Sequence, residues 1–357
     1  MVKIKALMIL ICLTLLYNCK EDHVDDQDSE VEMLSSFDVS KVVVANTSGE
    51  IPKKGDEIVI KITVKNTGNI KSKVSLTPKI SSKRFEDYNN ISLSPVDVIL
   101  DVGEISEITI NSGPFIYDEV KKKHYALGRG DYIVNSITIN ENSDTNFEGK
   151  EFSIAASNAI LVPVIYNNAY LSKLSYIKGI DSYLSSAFTR EVEVYNNGDF
   201  VSFPGGMDEM MNVKHIFYPL AGENVSDNPA EGGTCEKAIA LGGSMLGLGH
   251  DWEGPNVGTQ KGNHGFDYLT VLTPDSFGGV TCGWINVQVS GMFDFDLSLN
   301  RTQIILVHES GHILGSPHCD PLKGYVMCSG ELHEKYIDSG VYVFHIDSRN
   351  QMSNRFD

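Results

Sequence analysis

Thirteen residues near the C-terminal end constrain this chain more tightly than any others: His308-Glu309-Ser310-Gly311-His312-Ile313-Leu314-Gly315-Ser316-Pro317-His318-Cys319-Asp320. On a helix, His308 and His312 stand one turn apart on one face and can grip a single metal ion. Glu309 can reach the open side of that ion, where a bound water would sit. Gly315 stands where a left-handed residue ends a helix, because glycine takes a positive φ without a Cβ penalty. The chain can then turn sharply and return His318 as a third nitrogen ligand. Three protein ligands plus one water describe a catalytic zinc rather than a structural one. With average residue usage, three His, one Glu and one Gly at these spacings arise by chance about once in tens of thousands of chains this long. A polar helix face with an accidental third His is the competing explanation. The run Ile304-Ile305-Leu306-Val307 opposes it, because a buried helix does not leave polar groups unpaired cheaply. Asn300 reads as an N-cap with Gln303 three positions on, which predicts a helix over 301–314.

The extended motif resembles that of the metzincin clan of zinc endopeptidases, and Tyr325-Val326-Met327-Cys328 looks like the clan's Met-turn. The resemblance implies His308, His312 and His318 as ligands of one zinc ion, Glu309 as general base and Met327 as the hydrophobic floor. Three features depart from the clan's pattern. Met327 follows His318 closely, Cys319 stands where adamalysins carry Asp (which arrives as Asp320), and Ser329 stands where astacins and serralysins place a tyrosine ligand. An adamalysin-like branch is preferred. The resemblance covers 159–357 as an order of elements and about 300–330 as motif.

Lys3 and Lys5 followed by the apolar run Ala6–Leu16 form a charged n-region and an h-region too short to span a bilayer, so residues 1–18 read as a secretory signal. Leu16-Tyr17-Asn18-Cys19 looks like a loose bacterial lipobox, with Cys19 as the lipid-bearing residue; an ordinary cleaved signal is the alternative. Residues 19–36 are acidic and predict a disordered tether. Lys20 and the acids behind Cys19 resemble the surface-export signal of Bacteroidetes lipoproteins. A net charge of −18 argues against nucleic acid and anionic membranes as ligands, leaving a lipid anchor as the route to the membrane. Outside the signal and Cys19 the cysteines are Cys235, Cys282, Cys319 and Cys328, and an even set in an exported chain suggests two disulfides with three possible pairings. Cys319–Cys328, which would brace the Met-turn to the third His, with Cys235–Cys282, is the favoured set; free cysteines compete with it.

Residues 37–157 carry alternating runs at Ile58–Val64, Val96–Leu100, Ile105–Ile110, Tyr132–Ile139 and Phe152–Ile154, with a turn at Asn66-Thr67-Gly68-Asn69. This period of two without a helical stretch predicts an all-β immunoglobulin-like sandwich. Val64–Asn69 resembles a segment of bacterial adhesion-type sandwich domains. Arg129-Gly130-Asp131 spells an integrin-binding triplet, but reads as a hairpin turn. No catalytic constellation is present, so a spacer or docking module is expected.

Residues 158–357 change to an α/β pattern, expected as a metzincin-type catalytic domain. Ile160–Tyr166 suits a strand buried on both faces. Leu171, Leu174, Ile177, Ile180, Leu184 and Phe188 recur at helical spacing. Glu191–Tyr195 predicts a strand, 207–218 a helix, and glycine-rich 241–265, with His250 and His264, a long loop. Phe266–Thr273 and Val280–Val289 predict a core strand and an edge strand, and Asp338 or Ser339 a cap for a final helix carrying Val341, Phe344 and Ile346. His333 and His345 read as structural.

The expected function is a surface-anchored zinc endopeptidase acting on extended segments of extracellular proteins. A catalytically silent surface adhesin that keeps the fold is the alternative from another class, and hydrolysis of non-protein amides is a third. The sequence is silent on calcium, oligomeric state and natural substrate.

Overall fold

The computed structural model describes residues 33–84, 88–140, 147–157, 159–167, 169–170, 184–189, 214–222, 233–246, 265–276, 278–282, 287–292, 299–319, 326–328, 344, 347–348 and 351. The signal, most of the tether, Cys19, Glu191–Tyr195, His250, His264, Asp320, Tyr325, Ser329, His333, Asp338, Ser339 and His345 lie outside them, as does the greater part of 171–188.

Among its described residues the first unit holds ten strands: β1 (Phe37–Asn46), β2 (Ile58–Asn66), β3 (Ser72–Ser82), β4 (Ile91–Ser92), β5 (Val96–Leu100), β6 (Ile105–Ser112), β7 (Phe115–Asp118), β8 (Lys123–Ala126), β9 (Gly130–Ile139) and β10 (Lys150–Ile154). They form an antiparallel β1-β2-β6 sheet, an antiparallel β10-β9-β3-β4 sheet with β5 paired to β3, and a β7-β8 hairpin. One apolar core unites the two sheets, with Ile60, Ile62 and Val64 of β2 facing Leu76, Ile80 and Val134 across it. Strict alternation along β2 explains the layering, since the even-numbered residues from Ile58 to Asn66 are buried while the odd-numbered ones between them face outward. Gly130 begins β9, and Arg129-Gly130-Asp131 thus lies on the connection from the hairpin to the five-stranded sheet. The hairpin-turn expectation is corrected there: the triplet crosses between sheets, and Asp131 accepts a hydrogen bond from Ser153 Oγ at 2.6 Å.

The second unit is built on β11 (Ala159–Tyr166), β12 (Lys214–Ala221), β13 (Leu269–Ser276), β14 (Gly279–Cys282) and β15 (Val287–Met292), ordered β12-β11-β13-β15-β14. All neighbours are parallel except β14, which closes the sheet as an antiparallel edge. Helices α1 (Thr234–Met245) and α2 (Leu299–Ile313) pack on it, and residues 184–189 are also helical, with Phe188 stacked on Phe217 of β12 at 4.5 Å between ring centroids. Register separates the two faces of the sheet. Ile165, Leu269, Val271, Val287 and Val289 share a core with Ala238 of α1. The alternate residues Thr270, Gln288 and Thr281 are aligned across β13, β15 and β14 on the opposite face, toward α2.

Several expectations need correction. Residues 214–218 are strand rather than helix, because the β-favouring His215-Ile216-Phe217-Tyr218 pairs along β11, and Pro219 is tolerated on an edge strand. Residues 241–245 belong to α1 rather than a loop, since the small buried residues Thr234, Ala238 and Gly242 give that helix a face that packs closely without large apolar side chains. The core strand is displaced to 269–276, and 280–289 comprises parts of two strands. Helix α2 begins at Leu299, so Asn300 lies inside it rather than capping it. Phe344 is buried but not helical, while 347–348 and 351 are.

The two units are stitched together rather than spaced apart. Lys54, between β1 and β2, donates from Nζ to both carboxylate oxygens of buried Asp267, at 2.6 and 2.8 Å. Asp267 Oδ2 also accepts from the Leu161 N–H at 2.7 Å, and the Asp267 N–H donates to the Leu161 carbonyl at 2.9 Å. Phe115 of the hairpin stacks on Tyr218 at 4.4 Å between centroids. Removing one member of a buried charge pair strands the other, which costs about 3–5 kcal/mol. Asp267→Ala should therefore lower unfolding free energy by about that amount in urea titration, while Lys54→Met combined with Asp267→Leu should lower it less.

Candidate metal centre

Helix α2 carries His308 and His312 on one face and ends in a turn that the sequence dictates. Gly315 takes φ 97°, its N–H donates to the His312 carbonyl at 2.9 Å, and the Ser316 N–H donates to the Gly311 carbonyl at 2.9 Å. This paired pattern is a Schellman motif. It swings the chain back so that His318 faces the helix. The Nε2 atoms of the three rings then lie 3.1 Å (His308–His318), 3.1 Å (His308–His312) and 3.0 Å (His312–His318) apart.

Their other nitrogens decide what the centre can hold. His308 Nδ1 lies 2.6 Å from the Val326 carbonyl, and His312 Nδ1 lies 2.6 Å from the Ser316 carbonyl. A carbonyl only accepts, so both Nδ1 atoms carry the proton, and in the neutral rings both Nε2 atoms present lone pairs toward each other. Desolvation by burial lowers the His312 pKa, against the Ser316 hydrogen bond, which raises it, and the nearby His318 lowers it further. A cation between the nitrogens removes that repulsion. Zinc held at about 2.0–2.1 Å from each nitrogen in tetrahedral geometry needs nitrogens about 3.3–3.4 Å apart, within a few tenths of an ångström of those present. The donor set is therefore well suited to zinc. Among the described residues, these three form a cluster whose ligand atoms all lie within 4.8 Å of one another.

Glu309 is buried beside the trio and reaches toward the edge strand β14. Thr281 Oγ1 lies 2.7 Å from Glu309 Oε2 and 2.8 Å from the Glu309 carbonyl. Gly279, two residues earlier on the same face of β14, leaves room for the carboxylate: a Cβ there would stand 2.5 Å from Oε1. Burial pushes the Glu309 carboxyl up to about 7, with the Thr281 hydrogen bond pulling the other way. A cation at the trio would draw it back down. Thr281 and Gly279 carry no motif, and only the register of a distant hairpin brings them here.

Met327 is fully buried with its sulfur against α2, so a Cβ on Gly311 would come within 2.5 Å of Sδ and 3.3 Å of a Phe344 ring carbon. Two disulfides, Cys319–Cys328 and Cys235–Cys282, are formed. The first, with the Cys319 N–H donating to the Met327 carbonyl at 3.0 Å, clamps the segment bearing His318 to the one bearing Val326 and Met327. The second ties α1 to the C-terminal end of β14.

No protein-family profile matches the chain, and no curated protein matches it. Among solved structures, a β-glucosidase from Erythrobacter marinus is similar over 34% of this chain and 16% of its own, at 16% identity and a TM-score of 0.26. A Bifidobacterium adolescentis GH3 β-glucosidase is similar over 34% of this chain and 17% of its own, at 17% identity and a TM-score of 0.25. The chain thus spans under a fifth of these proteins, and likeness at that level carries no inference about fold or chemistry.

Purified chain equilibrated with zinc should retain about one ion per molecule, measured by elemental analysis after gel filtration, as a three-His site requires. His318→Ala should lose it, whereas Asp131→Ala, distant from the trio in sequence, should not.

Proposed function

We propose that the chain is a zinc-dependent endopeptidase of metzincin type, exported and anchored through lipid on Cys19, with an immunoglobulin-like sandwich preceding the catalytic domain. The observation that carries this reading is the convergence of three imidazole Nε2 atoms at 3.0–3.1 Å with a buried carboxylate alongside. A parallel sheet with an antiparallel edge strand beside that carboxylate supports it further. No helix among the described residues is long and apolar enough to cross a membrane; the lipid attachment rests on the Leu16-Tyr17-Asn18-Cys19 segment of the sequence.

His308, His312 and His318 would hold the ion, the ring orientations of the first two set by the carbonyls of Val326 and Ser316. Zinc, when bound, supplies Lewis acidity that polarises a scissile carbonyl and acidifies water. Glu309 takes a proton from the attacking water and delivers it to the departing amine, the task of a general acid–base whose pKa lies near the working pH. Met327 closes the underside of the site and keeps it dry. Among the described residues β14 pairs with β15 on one side, and its other edge offers backbone groups that an extended peptide would meet by strand addition. An extended segment of an extracellular protein is the substrate class this favours.

Glu309→Ala should keep its zinc while cleavage of an unfolded protein substrate falls about 10²–10⁴-fold, the usual worth of general acid–base catalysis. A chelator should abolish cleavage by the wild type and zinc should restore it. Full activity in Glu309→Ala would end the protease assignment, and zinc binding without any cleavage by the wild type would favour a binding protein.

A further inference from the structure

Glu309 has a short side chain with three rotatable bonds, and a base that must reach both a water and a leaving amine needs its carboxylate aimed. The helix alone does not aim it. Strand β14 does so from two sides, through residues 279 and 281 on one face. Thr281 Oγ1 sits within hydrogen-bond reach of both Oε2 and the Glu309 main-chain carbonyl, at 2.7 and 2.8 Å. Its single proton serves one acceptor at a time, so the hydroxyl spans backbone and carboxylate of the same residue. Gly279 gives the other oxygen its space, since any Cβ there would overlap Oε1, Cγ and Cδ at 2.5–2.8 Å. Behind Thr281 the same face continues as Gln288 and Thr270, with Gln288 Nε2 donating to Thr270 Oγ1 at 2.7 Å, so the strand bearing the hydroxyl is backed by a buried polar pair.

We propose that Thr281 is a positioning residue that fixes the Glu309 carboxylate through Oε2 and leaves Oε1 to exchange the proton. This rests on the protease reading above. It also makes the edge strand part of the catalytic apparatus, because any displacement of β14 moves the base with it.

The test compares Thr281→Val, which keeps the shape and drops the hydroxyl, with Thr281→Ser, which keeps the hydroxyl. For Thr281→Val, kcat should fall about 10–100-fold, as for removal of an outer-sphere partner. Its KM should stay within about twofold, with zinc content and Tm near wild type, as expected of an interaction that matters in the transition state rather than in binding. Thr281→Ser should recover most of kcat. Cobalt substituted for zinc gives a second readout: the visible absorption bands should shift in Thr281→Val and return in Thr281→Ser. The proposal is overturned if Thr281→Val keeps kcat and its cobalt bands unchanged, or if Thr281→Ser is as impaired as Thr281→Val. A wild type with no chelator-sensitive cleavage would refute the protease reading, and the cobalt comparison would still decide whether the hydroxyl orients Glu309.

Discussion

Two imidazole nitrogens whose partner nitrogens are both committed to backbone carbonyls cannot face each other comfortably at 3.1 Å, and a third arriving from a turn adds to the strain. Everything around the C-terminal half serves to keep them there. The Ser316 carbonyl is placed by the turn that ends α2, so the same few residues stop the helix and orient His312. The Val326 carbonyl is placed by the segment that the Cys319–Cys328 bridge clamps to the His318 loop. Local backbone geometry therefore sets the tautomer of two rings, and the tautomer sets where their lone pairs point.

The parallel sheet divides its duties by face. Toward α1 it is apolar and gives the unit its core, with small residues letting that helix approach closely. Toward α2 it is partly polar, and the polar residues are in register rather than scattered: Thr270, Gln288 and Thr281 stand side by side on three neighbouring strands. Buried polar groups require partners. Thr281 finds one in Glu309, which links the sheet's polar row to the buried carboxylate. The proposed chemistry thus depends on strand pairing as much as on the helix that bears the motif.

Legibility from sequence followed the range of the interactions. The spacing of His308, His312, Gly315 and His318 is local, and geometry on one helix and one turn is enough to bring them together. The strands of the first unit were visible because Ile58, Ile60, Ile62 and Val64 alternate with solvent-facing residues. Helix α1 was hidden because Thr234, Ala238 and Gly242 make a packing face without apolar bulk, and Gly242-Gly243 resembles loop composition. Strand β12 was hidden because its consecutive Ile216-Phe217-Tyr218, with Pro219 and Leu220 behind them, show no alternation of period two to separate strand from helix. Thr281 and Gly279 were invisible for a different reason: they act on a residue 28 and 30 positions away through sheet register, which no local pattern encodes. Asn300 shows the limit of cap signals, as a good capping residue one position past a helix start can simply be helical.

The Lys54–Asp267 pair joins residues 213 positions apart. During synthesis the ammonium emerges from the ribosome long before its carboxylate exists, and until then it must remain hydrated. The backbone of its loop is pinned within the first half, where the Lys54 N–H donates to the Ala155 carbonyl at 2.9 Å and the Ala155 N–H to the Pro52 carbonyl at 2.8 Å, but the side chain finds no carboxylate at its final place while that half stands alone. Loop closure over such a separation is slow compared with the pairing of neighbouring strands. Docking of the Lys54 ammonium on Asp267 therefore belongs to the last stage of folding, after the second sheet has assembled around Leu161.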